Sequence, residues 1–306
     1  MARTRADDAC PGALQVHQAA DGALVRVRLP GGTLTAAQLA TLASVSSRFG
    51  SATLELTARG NVQVRGITDV AAVGDAIAAA GLLPSATHER VRNIVASPLS
   101  GRVGGNVDVR EWVGELDAAI CAEPRLAELG GRFWFSLDDG RADVSGLAAD
   151  VGVHVFDDGC ALLLTARDTG VRLAVGDVVK TLVEVAVRFI ETRGKAWRVN
   201  ELTDIEGLLP GGDLGAGFPP VTRPPVGWIE HEDGRVALGA AVPLGVLPAR
   251  VAEYLAAIDA PLVVTGFNTA NGGTTVGGTA TLDQSSGLTV PSNAPGATVT
   301  VLKQTV

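Results

Sequence analysis

Hydrophobic and polar residues alternate along 23–29, a pattern that sends successive side chains to opposite faces of a strand. Pro30, Gly31 and Gly32 break that strand. Thr35 then stands as the N-cap of a helix over 36–49, with Leu39, Leu42 and Ala43 on one face and Gly50 as its stop. A strand over 53–57 follows, and Thr68 or Asp69 caps a second helix over 70–80 that ends at Gly81. This strand–helix–strand–helix order is that of a ferredoxin-like unit.

Further along, 109–126 has helical periodicity with Trp112, Leu116 and Ile120 on the inner face. Residues 132–137 alternate as a strand and end in the turn Asp138-Asp139-Gly140. Short strands are expected over 151–156, 160–166 and 171–175, and a long helix over 178–193 ending at Gly194. Residues 210–225 are rich in proline and glycine and read as a linker.

The pattern then returns. Residues 233–247 parallel 21–34, 248–257 parallel the helix after Thr35, and Leu262 to Thr265 parallel Leu54 to Thr57, which reads as an internal duplication. After Thr265 the parallel stops: 268–306 is a Gly, Thr, Ser and Asn tail with one expected strand over 298–302, flexible or at a sheet edge. The expected organisation is an arm at 1–20, a first half domain at 21–82, a middle α+β domain at 83–209 and a linker at 210–226. An incomplete second half domain at 227–267 and the tail complete it.

Composition narrows the function. A formal charge of −8 argues against a general nucleic-acid surface. No run of 18 apolar residues marks a membrane span, and the polar N-terminus lacks the apolar core of a secretory signal. Cys10, Cys121 and Cys160 are odd in number and widely spaced, which fits a reducing cytoplasm rather than a disulfide framework. The histidines at 17, 88, 154 and 231 are equally scattered, with His88 expected at the surface or at a cap.

Against this acidic background, Arg59, Asn61, Gln63 and Arg65 fall at alternate positions, so one strand face carries two cations and two amides. Val62 and Val64 would face the core. Arginine forks bind carboxylates bidentately and stay charged, so the face suits a ligand with several negative groups. Arg92 and Asn93 follow in the segment Arg92-Asn93-Ile94-Val95-Ala96-Ser97-Pro98.

Together these two motifs resemble the nitrite and sulfite reductase superfamily, and the segment Arg92–Gly101 with Arg132–Gly140 is most similar to precorrin-3B synthases. The resemblance runs over roughly 20–265. It implies an α+β fold of two ferredoxin-like half domains in pseudo-twofold relation around a sulfite-reductase-like middle domain. It implies an oxidoreductase of cobalamin biosynthesis that oxygenates precorrin-3A with a [4Fe-4S] cluster, a further iron centre and an unspecified electron donor. It also implies that Arg59 and Arg92 hold tetrapyrrole carboxylates, with Asn61, Gln63, Arg65, Asn93 and Arg132 as further binding candidates.

Two departures leave alternatives open. Arg132 stands where the reductases place one lysine and Trp134 where they place a second, which disfavours a sirohaem-dependent sulfite or nitrite reductase. No cysteine follows Cys160, so cluster ligands are not found, and a clusterless tetrapyrrole-binding or scaffold protein is the other alternative.

Overall fold

A computed structural model of the chain describes residues 10–219, 226–231, 233–265, 281–283, 287–289 and 297–303. The first unit holds β1 (His17–Ala19), β2 (Gly22–Val27), β3 (Thr33–Leu34), α1 (Ala36–Phe49), β4 (Thr53–Leu56), β5 (Val62–Ile67) and α2 (Val70–Ala79). Thr35 caps α1 in a reciprocal capping box with Gln38, and Asp69 rather than Thr68 caps α2 through the amide of Ala72. Val25, Val27, Val62 and Val64 are buried beneath the two helices with Leu39, Leu42 and Ile77. Each such side chain contributes about 1.5–3 kcal/mol by leaving water.

The middle unit holds β6 (Ile94–Ala96), α3 (Arg110–Ala122), β7 (Phe135–Asp138), β8 (Val151–Phe156), β9 (Gly159–Leu164), β10 (Arg167–Leu173) and α4 (Val178–Thr192). Its sheet runs β10-β9-β8-β7-β6, with β6, β7 and β8 parallel and the other pairs antiparallel. Trp112, Leu116 and Ile120 of α3 and Leu182, Val185 and Phe189 of α4 share one core with the sheet. Trp134 lies in a separate small cluster with Val95, Val144 and Ala149, as packing.

The third unit holds β11 (Gly227–Glu230), β12 (Val236–Val242), β13 (Val246–Pro248), α5 (Ala249–Ala256), β14 (Leu262–Thr265), β15 (Thr281–Asp283), β16 (Gly287–Thr289) and β17 (Ala297–Lys303). It repeats the first: the turn Pro30–Gly32 before β3 has its counterpart in Pro243–Gly245 before β13. The two units exchange strands. β13 extends the first sheet, β1-β2-β5-β4-β13, while β3 extends the other, β11-β12-β17-β14-β3. The fold is α+β with two ferredoxin-like halves in pseudo-twofold relation.

Three expectations are corrected. β17 is not an edge strand; it lies between β12 and β14, in the place that β5 holds in the first sheet. The stretch 10–15 is no loose arm, because Pro11, Gly12 and Ala13 are buried. His88 is buried at 4% exposure, its Nδ1 near Ser85 and Thr87 and its Nε2 near the Glu123 carbonyl. The other tail residues of 268–306 and linker residues 220–225 lie outside the described residues.

Candidate functional site

Antiparallel pairing sets Arg26 of β2 opposite Gln63 of β5, so the polar face of the first sheet carries Arg26, Gln63, Arg65 and Glu55 together. Arg28 and Asn61 continue that face. A sheet with one face on its core would leave this side to water. Here Arg28, Asn61 and Gln63 are at most 6% exposed.

Several of the expected ligand-binding residues are engaged inside the protein. Asn61 Oδ1 accepts the Leu29 amide at 2.9 Å, and its Nδ2 donates to Asn93 Oδ1 at 3.1 Å. Asn93 Nδ2 in turn donates to the carbonyls of Arg90, Gly131 and Phe133. The pair is a polar clasp between the first unit and the middle unit. Gln63 accepts from Arg26 Nη2 at 2.6 Å and donates to Glu55 Oε2 at 2.6 Å, while Arg65 pairs with Glu55 and Asp21.

Arg92 also departs from expectation. Its guanidinium, 5% exposed, makes a bidentate pair with Asp117 of α3 at 2.7 and 2.8 Å. A carboxylate already occupies the fork that a ligand would need. Arg132 is exposed and lies outside the cleft lining described below.

What remains is a cationic centre of Arg26, Arg28 and Arg59. Among the described residues none of the three forms an ion pair with a carboxylate. Arg28 Nε donates to the Arg90 carbonyl and Nη2 to the Pro11 carbonyl, but Nη1 is buried with no partner. Burial first, then repulsion from Arg26 and Arg59, pushes the Arg28 guanidinium down to about 9. Arg59 has one long hydrogen bond, Nη1 to the Gly131 carbonyl at 3.4 Å. Burial and then repulsion from Arg198 push it down to about 10. Burial likewise lowers Arg26. Desolvated, unneutralised cations of this kind are stabilised by a bound anion.

Arg59 also lines a small, narrow cleft where the three units meet. Gly31, Gly32 and Gly60 come from the first unit, Val95 and Leu147 from the middle one and Val264 from the third. Gly60 has φ +67°, and a Cβ there would lie 2.7 Å from the Val264 carbonyl oxygen; a Cβ on Gly32 would clash with the same oxygen. Glycine therefore permits backbone from two units to meet at the cleft.

Metal-binding options among the described residues are narrow. Asp138, Asp139 and Asp143 lie together. Asp138, however, accepts the amides of Gly140, Ala142, Val144 and Ser145, and Asp139 pairs with Arg141. Burial pushes the Asp143 carboxyl up to about 7, against a 2.5 Å hydrogen bond from Ser97. Cys10, Cys121 and Cys160 sit on the N-terminal segment, α3 and β9. A [4Fe-4S] cluster needs four thiolates, and these three cysteines neither reach that number nor converge. The donor set of this chain does not fit the cluster, whereas guanidinium groups without an ion-pair partner suit a carboxylate.

Arg26 and Arg28 were not singled out from sequence, although both alternate with Val25 and Val27. Their shared face with Gln63 and Asn61 becomes evident only from the pairing of β2 with β5.

The family model of the nitrite/sulfite reductase ferredoxin-like half domain matches residues 17–80. A precorrin-3B synthase of Sinorhizobium sp is 30% identical over 187 residues, covering 58% of this chain and 40% of that protein. A chloroplastic ferredoxin–nitrite reductase of Oryza sativa subsp. japonica is 39% identical over 104 residues, covering 32% of this chain and 17% of that one. The sulfite reductase [NADPH] hemoprotein beta-component of Shouchella clausii is 31% identical over 112 residues, covering 33% and 18%. Among solved structures, the NirA protein of Mycobacterium tuberculosis has a TM-score of 0.64 at 22% identity, over 80% of this chain and 52% of that one. The fold is thus that of the NirA protein, and the chain is similar to nitrite and sulfite reductases and to precorrin-3B synthase. It spans less than half the length of these curated relatives.

Proposed function

We infer that this chain is an oxidoreductase of tetrapyrrole metabolism, acting as precorrin-3B synthase does on precorrin-3A, and that Arg26, Arg28 and Arg59 hold the carboxylates of its substrate. One observation carries the reading. Three guanidinium groups are drawn together and largely desolvated, with no carboxylate partner among the described residues, beside a cleft at the meeting of three units. A buried donor such as Arg28 Nη1 calls for an acceptor. A tetrapyrrole with carboxylates along its rim supplies several.

The residues of this chain bind and orient. Arg59 would anchor one carboxylate at the cleft, where Gly32 and Gly60 let the backbone of the third unit close against the first. No step is assigned to an iron–sulfur cluster, because the three cysteines do not form its donor set.

That same observation favours a second reading, a clusterless tetrapyrrole-binding or scaffold protein. Trp134, packed at 5% exposure where a reductase would place a cation, disfavours anion reduction.

Titration with a porphyrin polycarboxylate, followed by visible absorbance, tests the pocket. Loss of one charge-assisted contact in Arg59→Ala should weaken binding by roughly 10- to 100-fold. Equal affinity of the parent and Arg59→Ala proteins would remove the carboxylate role. Iron and acid-labile sulfide content after anaerobic reconstitution separates the two readings: bound cluster supports the enzyme, and none supports the scaffold.

A further inference from the structure

Among the described residues the two halves differ in how their sheets are covered. In the first unit α1 and α2 lie on the apolar face, where α2 buries Val73, Gly74 and Ile77. The third unit has one described helix, α5, for the same face. Val242 of β12 packs into the helix-covered core, while Ala237 and Val263 pack with Leu99 of the middle unit on the opposite side. Leu238 and Ala240 alternate with Ala237 and so share the helix side with Val242. Trp228 of β11 stands directly opposite Leu238 and points the same way.

Matching Pro30–Gly32 to Pro243–Gly245 sets Leu238 on Val25, Ala240 on Val27 and Leu255 on Leu42. Val25, Val27 and Leu42 are at most 1% exposed, whereas their three counterparts are only half-buried. Trp228, on the edge strand, is 64% exposed. The equivalent edge of the first unit lies under α2. Val16 packs on its core, and a Cβ on Gly74 of α2 would lie 3.5 Å from Leu14 Cδ2. Gln38 of α1 also reaches the end of α2, its Nε2 donating to the Ala80 carbonyl at 3.2 Å. In α5 the matching residue is the apolar Val251. The first unit thus shows what kind of element covers this face. Residues 266–280 are rich in glycine and threonine and have no apolar helical period, so their sequence does not supply it.

We propose that this face is a docking site for an amphipathic helix of a partner polypeptide, seated on the third sheet as α2 is seated on the first. The partner helix carries small and aliphatic residues at i, i+3, i+4 and i+7, as Val70, Val73, Gly74 and Ile77 do in α2. Glu230, exposed and on the same strand face as Trp228, makes that rim acidic, so the helix bears lysine or arginine beside its apolar stripe. The surface lies on the side of the sheet away from the middle unit. It therefore stands or falls independently of the tetrapyrrole reading.

The test uses the whole chain and a synthetic peptide of the α2 sequence, Val70–Ala79, with lysines added at both ends. Trp228 is the most exposed tryptophan of the chain, so its emission should shift to the blue and saturate as the peptide seats. Trp228→Ala changes an exposed side chain and should leave the melting temperature unchanged. It should weaken binding of the fluorescein-labelled peptide by about 10- to 100-fold, the usual loss for an aromatic anchor. A peptide of the same composition, reordered so that its apolar residues no longer share a helix face, should not bind. Equal binding of the two peptides, or unchanged affinity in Trp228→Ala, would overturn the proposal. Shielding of Trp228 from acrylamide in the isolated monomer would show that the chain covers this face itself. Concentration-dependent dimerisation that Trp228→Ala abolishes would show that a second copy does. Either result would also overturn a helical partner.

Discussion

Replacing Asn61 and Asn93 by alanine, singly and together, should give destabilisations that do not add. Each asparagine bridges a buried backbone group to the other asparagine, so the cost can be counted in orphaned partners. Asn61→Ala leaves the Leu29 amide and Asn93 Oδ1 without a partner. Asn93→Ala leaves Asn61 Nδ2 and the Phe133 carbonyl. The Arg90 and Gly131 carbonyls keep Arg28 and Arg59 as donors. At about 1–3 kcal/mol for each buried orphan, either single change should cost about 2–6 kcal/mol. The double variant also orphans two groups, the Leu29 amide and the Phe133 carbonyl, so it should cost about as much as one single. The interaction energy of the cycle is then of the same size as a single mutation, far outside the few tenths expected of independent sites. Urea unfolding with an unchanged m-value measures it. Additive effects, or single changes below about 1 kcal/mol, would refute the clasp and return both side chains to the list of ligand-binding candidates.

The two arginines first expected to share a role should separate: Arg92→Ala should lower stability by about 3–5 kcal/mol by leaving Asp117 unpaired, with tetrapyrrole affinity reduced only in proportion to unfolding. Arg59→Ala should do the reverse, and calorimetry beside the porphyrin titration distinguishes them. Gly60→Ala sets a Cβ 2.7 Å from the Val264 carbonyl oxygen at φ +67°. It should destabilise the junction of the first and third units by more than about 1–3 kcal/mol, the ordinary strain of such a conformation, read as a fall in melting temperature. Asp143 has a carboxyl raised by burial to about 7. The folded state therefore holds a proton that the unfolded state has lost, and stability falls as pH rises from about 4 to about 7. Asp143→Asn should flatten that slope and stabilise the protein above pH 7; an unchanged slope would show that Asp143 titrates normally.

Local elements were legible because their signals are local. The cap at Thr35, the stop at Gly50 and the apolar stripe of α1 lie within one stretch, and the helix occupies Ala36–Phe49 as expected. The strand over 151–156 was equally plain, since β8 and β9 both cover strongly apolar runs. The duplication was readable as pattern, but the exchange of β3 and β13 was not. β3 pairs with Leu262 and Val263, and nothing near Thr33 encodes so distant a partner. The site was half legible for the same reason. Arg59 stood out in a motif. Asn61 and Asn93 were recognised as polar residues on a strand and a following segment, but pattern cannot say whether an amide meets a ligand or a carbonyl. Glu89 passed unnoticed because its anchoring role needs the amides of residues 13–15, which only the folded chain brings to it.

The asymmetry of the two halves explains why the cationic centre lies on one side of the cleft. If Pro30–Gly32 is matched to Pro243–Gly245, Arg26 and Arg28 fall on Gly239 and Ala241 of β12. The backbone is duplicated, but the charges are not. In the third unit Ala237, two residues before Gly239 on the same strand face, packs with Leu99 and Val263 in a small apolar cluster. The corresponding face of the first sheet instead carries Arg26, Arg28 and Gln63 toward the middle unit. A protein of net charge −8 would screen scattered surface arginines with its own acidic groups. Burial behind the middle unit removes water, so the same three charges act in a lower dielectric, where attraction for an anion is several times that in water. An anionic ligand entering the cleft would therefore set its carboxylates on the first unit and its apolar edge toward Val264, Val95 and Leu147. Reversing that polarity, with Ala241→Arg and Arg28→Ala in one protein, should abolish binding rather than mirror it, because Ala241 is buried at 8% exposure on a strand whose Ala237 packs against Leu99 and Val263.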